Sequence, residues 1–183
     1  MGRPPLHFVL VTLVLAMGLA AFAVAVVRYW PDGGSGSASE QEREYFLQLE
    51  TAEVSFNRAI QELMVELEAV ASPDLGAQEQ VQLAHDFSIA IFSEYDRYAE
   101  RIENLQPPKS VSRAHDKYVS ATQEFVQLWS DVLADDDGSQ RLSSIVDVLR
   151  SDRFLEIGHD YDEACMNLRG EARRRDVNIY LAC

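Results

Sequence analysis

From residue 46 onward, apolar side chains recur alternately three and four positions apart, the spacing that gathers them on one stripe of an α-helix. Positions 46, 49, 53, 56, 60, 63, 67 and 70 read Phe, Leu, Glu, Phe, Ile, Leu, Leu and Val, so Glu53 alone interrupts an apolar seam. Just before it, Ser39-Glu40-Gln41-Glu42 has the spacing of a capping box, in which Ser39 and Glu42 each satisfy the other's backbone amide. A first helix is therefore predicted from residue 40 to the break "SPDLG", with Pro73 and Gly76. A second seam reads Val81, Ala84, Ser88, Ile91, Tyr95, Tyr98, Ile102 and Leu105, and ends at Pro107-Pro108, which cannot continue a helix. A third follows Ser110 with Val111, Ala114, Tyr118, Ala121, Phe125, Leu128 and Val132, and stops at the solvated turn "DDDG". The fourth segment is less regular. Leu142, Ile145 and Leu149 form a short seam, "RSDR" interrupts it, and Phe154, Gly158, Tyr161, Cys165, Leu168 and Ala172 form another. This predicts a short helix and then a longer one, or one helix with a skip near Asp152. Strand-period alternation is confined to the tail "VNIYLAC", too short to pair alone.

Amphipathic segments joined by short connections must bury their stripes against one another, and the simplest arrangement is an antiparallel up-down-up-down four-helix bundle. The expected fold class is all-α: an N-terminal transmembrane helix followed by such a bundle as an ectodomain. The membrane segment is read from residues 1–30. Leu6 to Val27 carries no carboxylate, lysine or arginine, long enough to cross a hydrocarbon core of about 30 Å, and Arg28, Tyr29 and Trp30 supply interface residues behind it. The rival reading is a cleaved secretory signal, since Ala21-Phe22-Ala23 and Ala23-Val24-Ala25 are both small-x-small sites. Residues 31–39, "PDGGSGSAS", have the composition of a flexible linker, and residues 40–183 are the expected domain.

Charge narrows the partners. The chain carries a net charge of −14, nearly all of its acid lying after Gly36. A body this acidic argues against nucleic acid, whose phosphates need a basic face. The basic cluster is Arg169, Arg173, Arg174 and Arg175, which suits the negative pole of a helix C-terminus and, at the end returning toward the membrane, could touch lipid headgroups. Phe87, Phe92, Val126 and Trp129 fall outside the strict seams, where they widen the core or leave a partner surface. The two cysteines, Cys165 and Cys183, are oxidised to a disulfide if the domain is exported and unpaired if it is cytosolic.

Candidate chemistry is sparse. If Phe46 lies level with Leu105 in an antiparallel bundle, Glu53 lies level with Tyr98, Tyr98 with Tyr118, and residues near 156 and Tyr161 reach the same height. A buried polar layer of Glu53, Tyr98, Tyr118 and Tyr161 is therefore expected, tyrosine hydroxyls being suitable donors to a buried carboxylate. Either it fixes helix register, or it takes a ligand, or Glu53 instead reaches solvent near the bundle end. Glu156-Ile157-Gly158-His159 has the Glu-x-x-His spacing of di-iron bundles, which makes Glu53, Glu156 and His159 a candidate metal set, but those sites need two such motifs. His85 and His115 have Gln82 and Ser112 where a second Glu would stand. His85, His115 and His159 are each followed by aspartate, consistent with local pairing. There is no nucleophile with its base, haem-attachment motif or phosphate loop. The protein is not expected to be an enzyme, and no cofactor is implied.

Leu105, Pro107, Pro108, His115, Tyr118, Cys165, Leu168, Leu181 and Cys183 form a Leu-x-Pro-Pro, His-x-x-Tyr, Cys-x-x-Leu, Leu-x-Cys pattern that resembles a loose group of exported bacterial helical proteins. The resemblance implies export and a Cys165–Cys183 bond, and it supplies no catalytic residues. Four-helix sensor ectodomains of bacterial receptors are similar in architecture, but a second span and an output domain are missing from this sequence. The functional expectation is a membrane-tethered extracytoplasmic bundle that binds a protein partner or small solute. An accessory subunit of a membrane assembly and a metal-binding bundle are the alternatives.

Overall fold

Ser39 and Glu42 open the first helix as their spacing predicts. The Ser39 hydroxyl accepts from the Glu42 amide at 3.2 Å, and the Glu42 carboxylate accepts from the Ser39 amide at 2.9 Å. The computed structural model describes residues 37–70, 75–134, 148 and 150–183. These contain four α-helices: α1 (Glu40–Val70), α2 (Ala77–Glu103), α3 (Ser112–Ala134) and α4 (Asp152–Arg174). Gly76 starts α2 with its amide bonded to Glu79 at 2.8 Å, and the Ser151 hydroxyl caps α4 by accepting from the Phe154 amide at 3.1 Å. Between α2 and α3 the Pro108 carbonyl accepts from the amides of Val111 and Ser112, so the diproline both stops one helix and seeds the next. The longer of the two elements expected in the fourth segment is α4. The Leu142–Ile145–Leu149 seam, the "DDDG" turn, the apolar leader and most of the Gly/Ser linker lie outside the described residues. Among the described residues, no helix is long and apolar enough to cross a membrane.

Cross-helix pairs fix the directions of the helices. Phe56 stacks on Tyr98 while Glu42, about four turns earlier, meets Ser110, so α1 and α2 run oppositely. Tyr98 meets Tyr118 and Tyr95 meets Phe125 across α2 and α3; Tyr118 meets Tyr161 and Trp129 meets Phe154 across α3 and α4. Each of these pairs combines an advance on one helix with a retreat on the next. The core follows the seams, with Phe46, Leu49, Phe56, Ile60 and Leu67 of α1 buried against Ile91, Tyr98 and Ile102 of α2, Tyr118 of α3, and Cys165, Leu168 and Ala172 of α4. Val70, the last position of the first seam, is exposed. Phe87 and Trp129 are buried, and Phe92 and Val126 are half-buried.

Helices pack face to face as α1 on α2, α2 on α3 and α3 on α4. The remaining seam, between α4 and α1, is closed by the tail 177–183. The chain leaves α4 through a turn in which the Val177 amide bonds the Ala172 carbonyl at 3.0 Å and Asp176 takes a left-handed φ of 58°. Aspartate adopts that region more readily than most residues with a Cβ. The tail then runs extended, with Ile179 and Leu181 buried and Asn178 and Tyr180 exposed. A Cys165–Cys183 disulfide, with a Cα–Cα distance of 5.7 Å, ties it to α4.

Candidate functional site

One position breaks the apolar seam of α1, and it lies deep in the bundle: Glu53 is 1% exposed. Three donors converge on its carboxylate. The Tyr98 hydroxyl donates at 2.5 Å, the Asn57 side-chain amide at 3.1 Å and the backbone amide of Ala182 at 3.2 Å. Asn57 is one turn further along α1, so helical geometry alone places it; Ala182 arrives only because the tail fills the α1–α4 seam. This suits a buried carboxylate, an acceptor whose lone pairs need donors once water is excluded.

The hydrogen bonds continue through the bundle. Tyr98 and Tyr118 share a hydroxyl–hydroxyl bond of 2.7 Å, and Tyr118 and Tyr161 one of 2.9 Å. Glu53, Tyr98, Tyr118 and Tyr161 thus form one row, each contributed by a different helix. Tyr118 is fully enclosed, and Tyr161 is half-buried with its hydroxyl turned inward onto Tyr118. All three phenols titrate well above their usual range: burial disfavours the phenolate first, and the neighbouring hydroxyls and the Glu53 charge add to it. The row is a set of neutral donors ending at one carboxylate. Beside it, Phe56 packs on both Tyr95 and Tyr98, and the aromatic contacts pass on through Phe125 to Trp129 and Phe154.

Glu156 and His159 are not part of this arrangement. Both are exposed on α4, whereas Glu53 faces the interior, and among the described residues no three side chains of metal-ligating type converge. The Glu-x-x-His spacing puts its two members on one helical face, but that face is the outer one.

The histidines divide by environment. His85 bonds the adjacent Asp86 at 3.1 Å on the surface. His115 is buried, and its Nδ1 shares a 3.0 Å bond with the Tyr45 hydroxyl, not with Asp116. Burial lowers the His115 pKa, opposed in part by Asp116, and raises that of Tyr45. Sequence reasoning missed this pair because both residues lie beside the strict seams, at Phe46 − 1 and Ala114 + 1. A wider stripe would have found them.

At the same end of the bundle the arginine cluster is partly committed to the protein. Arg175 donates to Glu42 through Nε at 2.8 Å, to the Glu171 carboxylate and carbonyl, and to the Ser110 carbonyl at 3.1 Å. Glu42 also accepts from the Ser110 hydroxyl at 2.6 Å. Those bonds, with the Ser39 amide and Arg175, hold the Glu42 carboxyl down at about 2. Arg174 pairs with Glu171, Arg169 is half-buried and Arg173 is exposed. The start of α1, the diproline turn and the end of α4 are thereby clasped together. The capping-box reading found Glu42, but nothing local in sequence indicates its partner, 133 residues away.

No protein-family model matches this chain, and comparison with curated proteins and with solved structures finds no match either. The site is therefore read from its own geometry.

Proposed function

We infer that the protein is a membrane-tethered extracytoplasmic helical bundle that acts by binding a protein partner or small solute. The observation that carries this reading is the Cys165–Cys183 disulfide, closed onto a cysteine with no exposed surface. A bond of this kind persists where thiols are oxidised, outside the cytosol, and the apolar leader of residues 1–30 supplies the route and the tether. The clasp of Glu42, Ser110 and Arg175 puts the start of α1 at one end of the bundle, which suits a body tethered through its N-terminal side.

Binding is favoured over catalysis by how the polar row is used. Each of its hydroxyls is partnered inside the bundle, and the Glu53 carboxylate is roofed by the tail, so the row itself turns no acid–base pair toward a substrate. The outer face of α1 instead presents Leu47, Val54 and Val65, all exposed and all apolar. That surface supports the second reading, an accessory subunit of a membrane assembly.

The test is an intact mass of the protein purified from membranes, native and then denatured with and without reductant. The expected result is a full-length chain that gains two hydrogens only on reduction, with additional native mass from whatever it binds. A chain cut after Ala23 or Ala25 makes it a freely secreted binder. Free thiols on an uncleaved chain overturn the topology.

A further inference from the structure

The tail occupies a place that a helix face would fill in an ordinary bundle, and it does so with interactions that are not particular to its own sequence. Its inward side chains are aliphatic at alternate positions, Val177, Ile179 and Leu181. Its polar contacts to α1 are made by backbone: the Tyr180 amide donates to Glu50 at 2.8 Å and the Ala182 amide to Glu53 at 3.2 Å. Asn178 and Tyr180 turn their side chains to solvent. Recognition of extended backbone by fixed acceptors, with pockets for every second side chain, is one of the recurring ways in which proteins bind peptides.

We propose that the seam between α1 and α4 is a peptide-binding groove whose resident occupant is residues 177–183, and that an extended segment of another protein, apolar at alternate positions, takes this place once a dithiol has reduced the Cys165–Cys183 bond. This deepens the binding reading above and rests on it. Reduction is an exchange: a thiolate of the dithiol attacks the half-buried Cys183 sulfur, Cys165 leaves as the thiolate and takes a proton, and the second thiol of the reagent releases Cys183 from the mixed disulfide. The protein gains two hydrogens and the dithiol becomes a disulfide. What then holds the tail is three aliphatic side chains and the backbone amides of Val177, Tyr180 and Ala182, which a peptide of the same pattern supplies. The contacts of α1 on α2, α2 on α3 and α3 on α4 are made between the helices themselves, while Val177, Ile179 and Leu181 of the tail pack against the same core, so the proposal requires the helices to keep their packing when the tail leaves. Departure also strips Glu53 of a donor, and a buried carboxylate lacking one favours a replacement amide.

The experiment uses the full chain in detergent, oxidised and reduced, with two fluorescent hexapeptides followed by anisotropy. One is the tail's own Val-Asn-Ile-Tyr-Leu-Ala, and the other, Leu-Ser-Val-Thr-Ile-Ser, keeps only the alternation. The expected result is that the reduced chain binds both peptides about a hundredfold more tightly than the oxidised chain, the disulfide being what favours the resident tail. Glu50→Ala, at a partly exposed position, weakens binding about tenfold with an unchanged helical circular-dichroism signal. Equal binding to both forms, no binding to the reduced form, or binding of the tail's own sequence alone overturns the proposal. So does loss of helical signal on reduction, because the tail is then part of the core and not an occupant. If the groove fails while the native oxidised protein carries a partner's mass, the groove falls and the binding reading stands. Peptide binding with no native partner mass retains the groove and counts against a resident partner in the oxidised state.

Discussion

Ala182 donates its backbone amide to the carboxylate of Glu53, 129 residues earlier in the chain. That single bond joins two features that look separate in sequence, a break in the apolar seam of α1 and a cysteine-tipped tail. The buried carboxylate is satisfied in part by the tail, and the tail is held in place in part by the disulfide one residue further on. Stability of the polar row and closure of the disulfide are therefore coupled.

Replacing both cysteines by alanine tests the coupling. The bond closes a loop of 18 residues, for which chain entropy alone gives about 3 kcal/mol, or roughly 10 °C in Tm for a domain of this size. Because freeing the tail also takes the Ala182 amide from the Glu53 carboxylate, the loss is expected to shrink when Glu53 is already replaced by glutamine. A double-mutant cycle on thermal melts checks this, and simple additivity of the two losses would show that tail and carboxylate are independent.

Tyr118 stands in the middle of the row and Tyr161 at its end, so their phenylalanine variants should differ. Tyr118→Phe leaves both the Tyr98 and Tyr161 hydroxyls a partner short in a buried setting, a cost of about 2–3 kcal/mol, whereas Tyr161→Phe removes one bond, about 1 kcal/mol. Urea titrations of the two variants give the order directly. Equal losses would mean that water replaces the missing partner at Tyr118.

The heights of these residues could be counted from the sequence because each lies on a seam and the diproline turn is short, which leaves little freedom in the register of α2 against α3. What could not be read is what crosses between seams. Asn57 was reachable, one turn beyond Glu53, but the Ala182 amide was not, since an extended tail replacing a helix–helix face has no periodic signal beyond the alternation in "VNIYLAC". That alternation was visible and looked too short to pair; it does not pair with a strand, and lies instead on helices. The Glu42–Arg175 bond escaped for the same reason, because helical spacing specifies neighbours within an element and leaves the partner across the bundle end open. The Glu-x-x-His spacing selects a helical face without saying which way it looks, and Glu156 and His159 are exposed.

Alkali should unfold the protein cooperatively. The phenols of Tyr45, Tyr95, Tyr98, Tyr118 and Tyr161 all titrate above their usual value near 10, chiefly through burial. A raised native pKa gives stability that is fully present below the unfolded value and is lost as pH rises above it toward the native one. Absorbance at 295 nm should therefore show these five tyrosines ionising together with the loss of helical circular dichroism. Independent ionisation near pH 10 with the helices intact would mean that the row is open to water.

On the acid side the Glu42 clasp sets the expectation. Its carboxyl, near 4.5 when free, is held at about 2 by Ser110, Ser39 and Arg175. A depressed native pKa gives stability that is complete above about 4.5 and is lost as pH falls through the window down to about 2, because only the unfolded chain takes up the proton there. His115 acts in the same direction nearer neutrality, since burial lowers its pKa in the folded state while the unfolded residue protonates below about 6.5. Melting temperature should thus fall in two stages on acidification. Glu42→Gln should flatten the lower stage and leave the upper one, and His115→Gln should do the reverse. Because Glu42 and Arg175 keep 15% and 17% of their side chains exposed, the lower stage should also weaken in high salt, whereas the upper stage, which rests on burial, should not. Equal salt sensitivity of both stages would mean that the His115 pKa is set by charge pairing with Asp116 more than by burial.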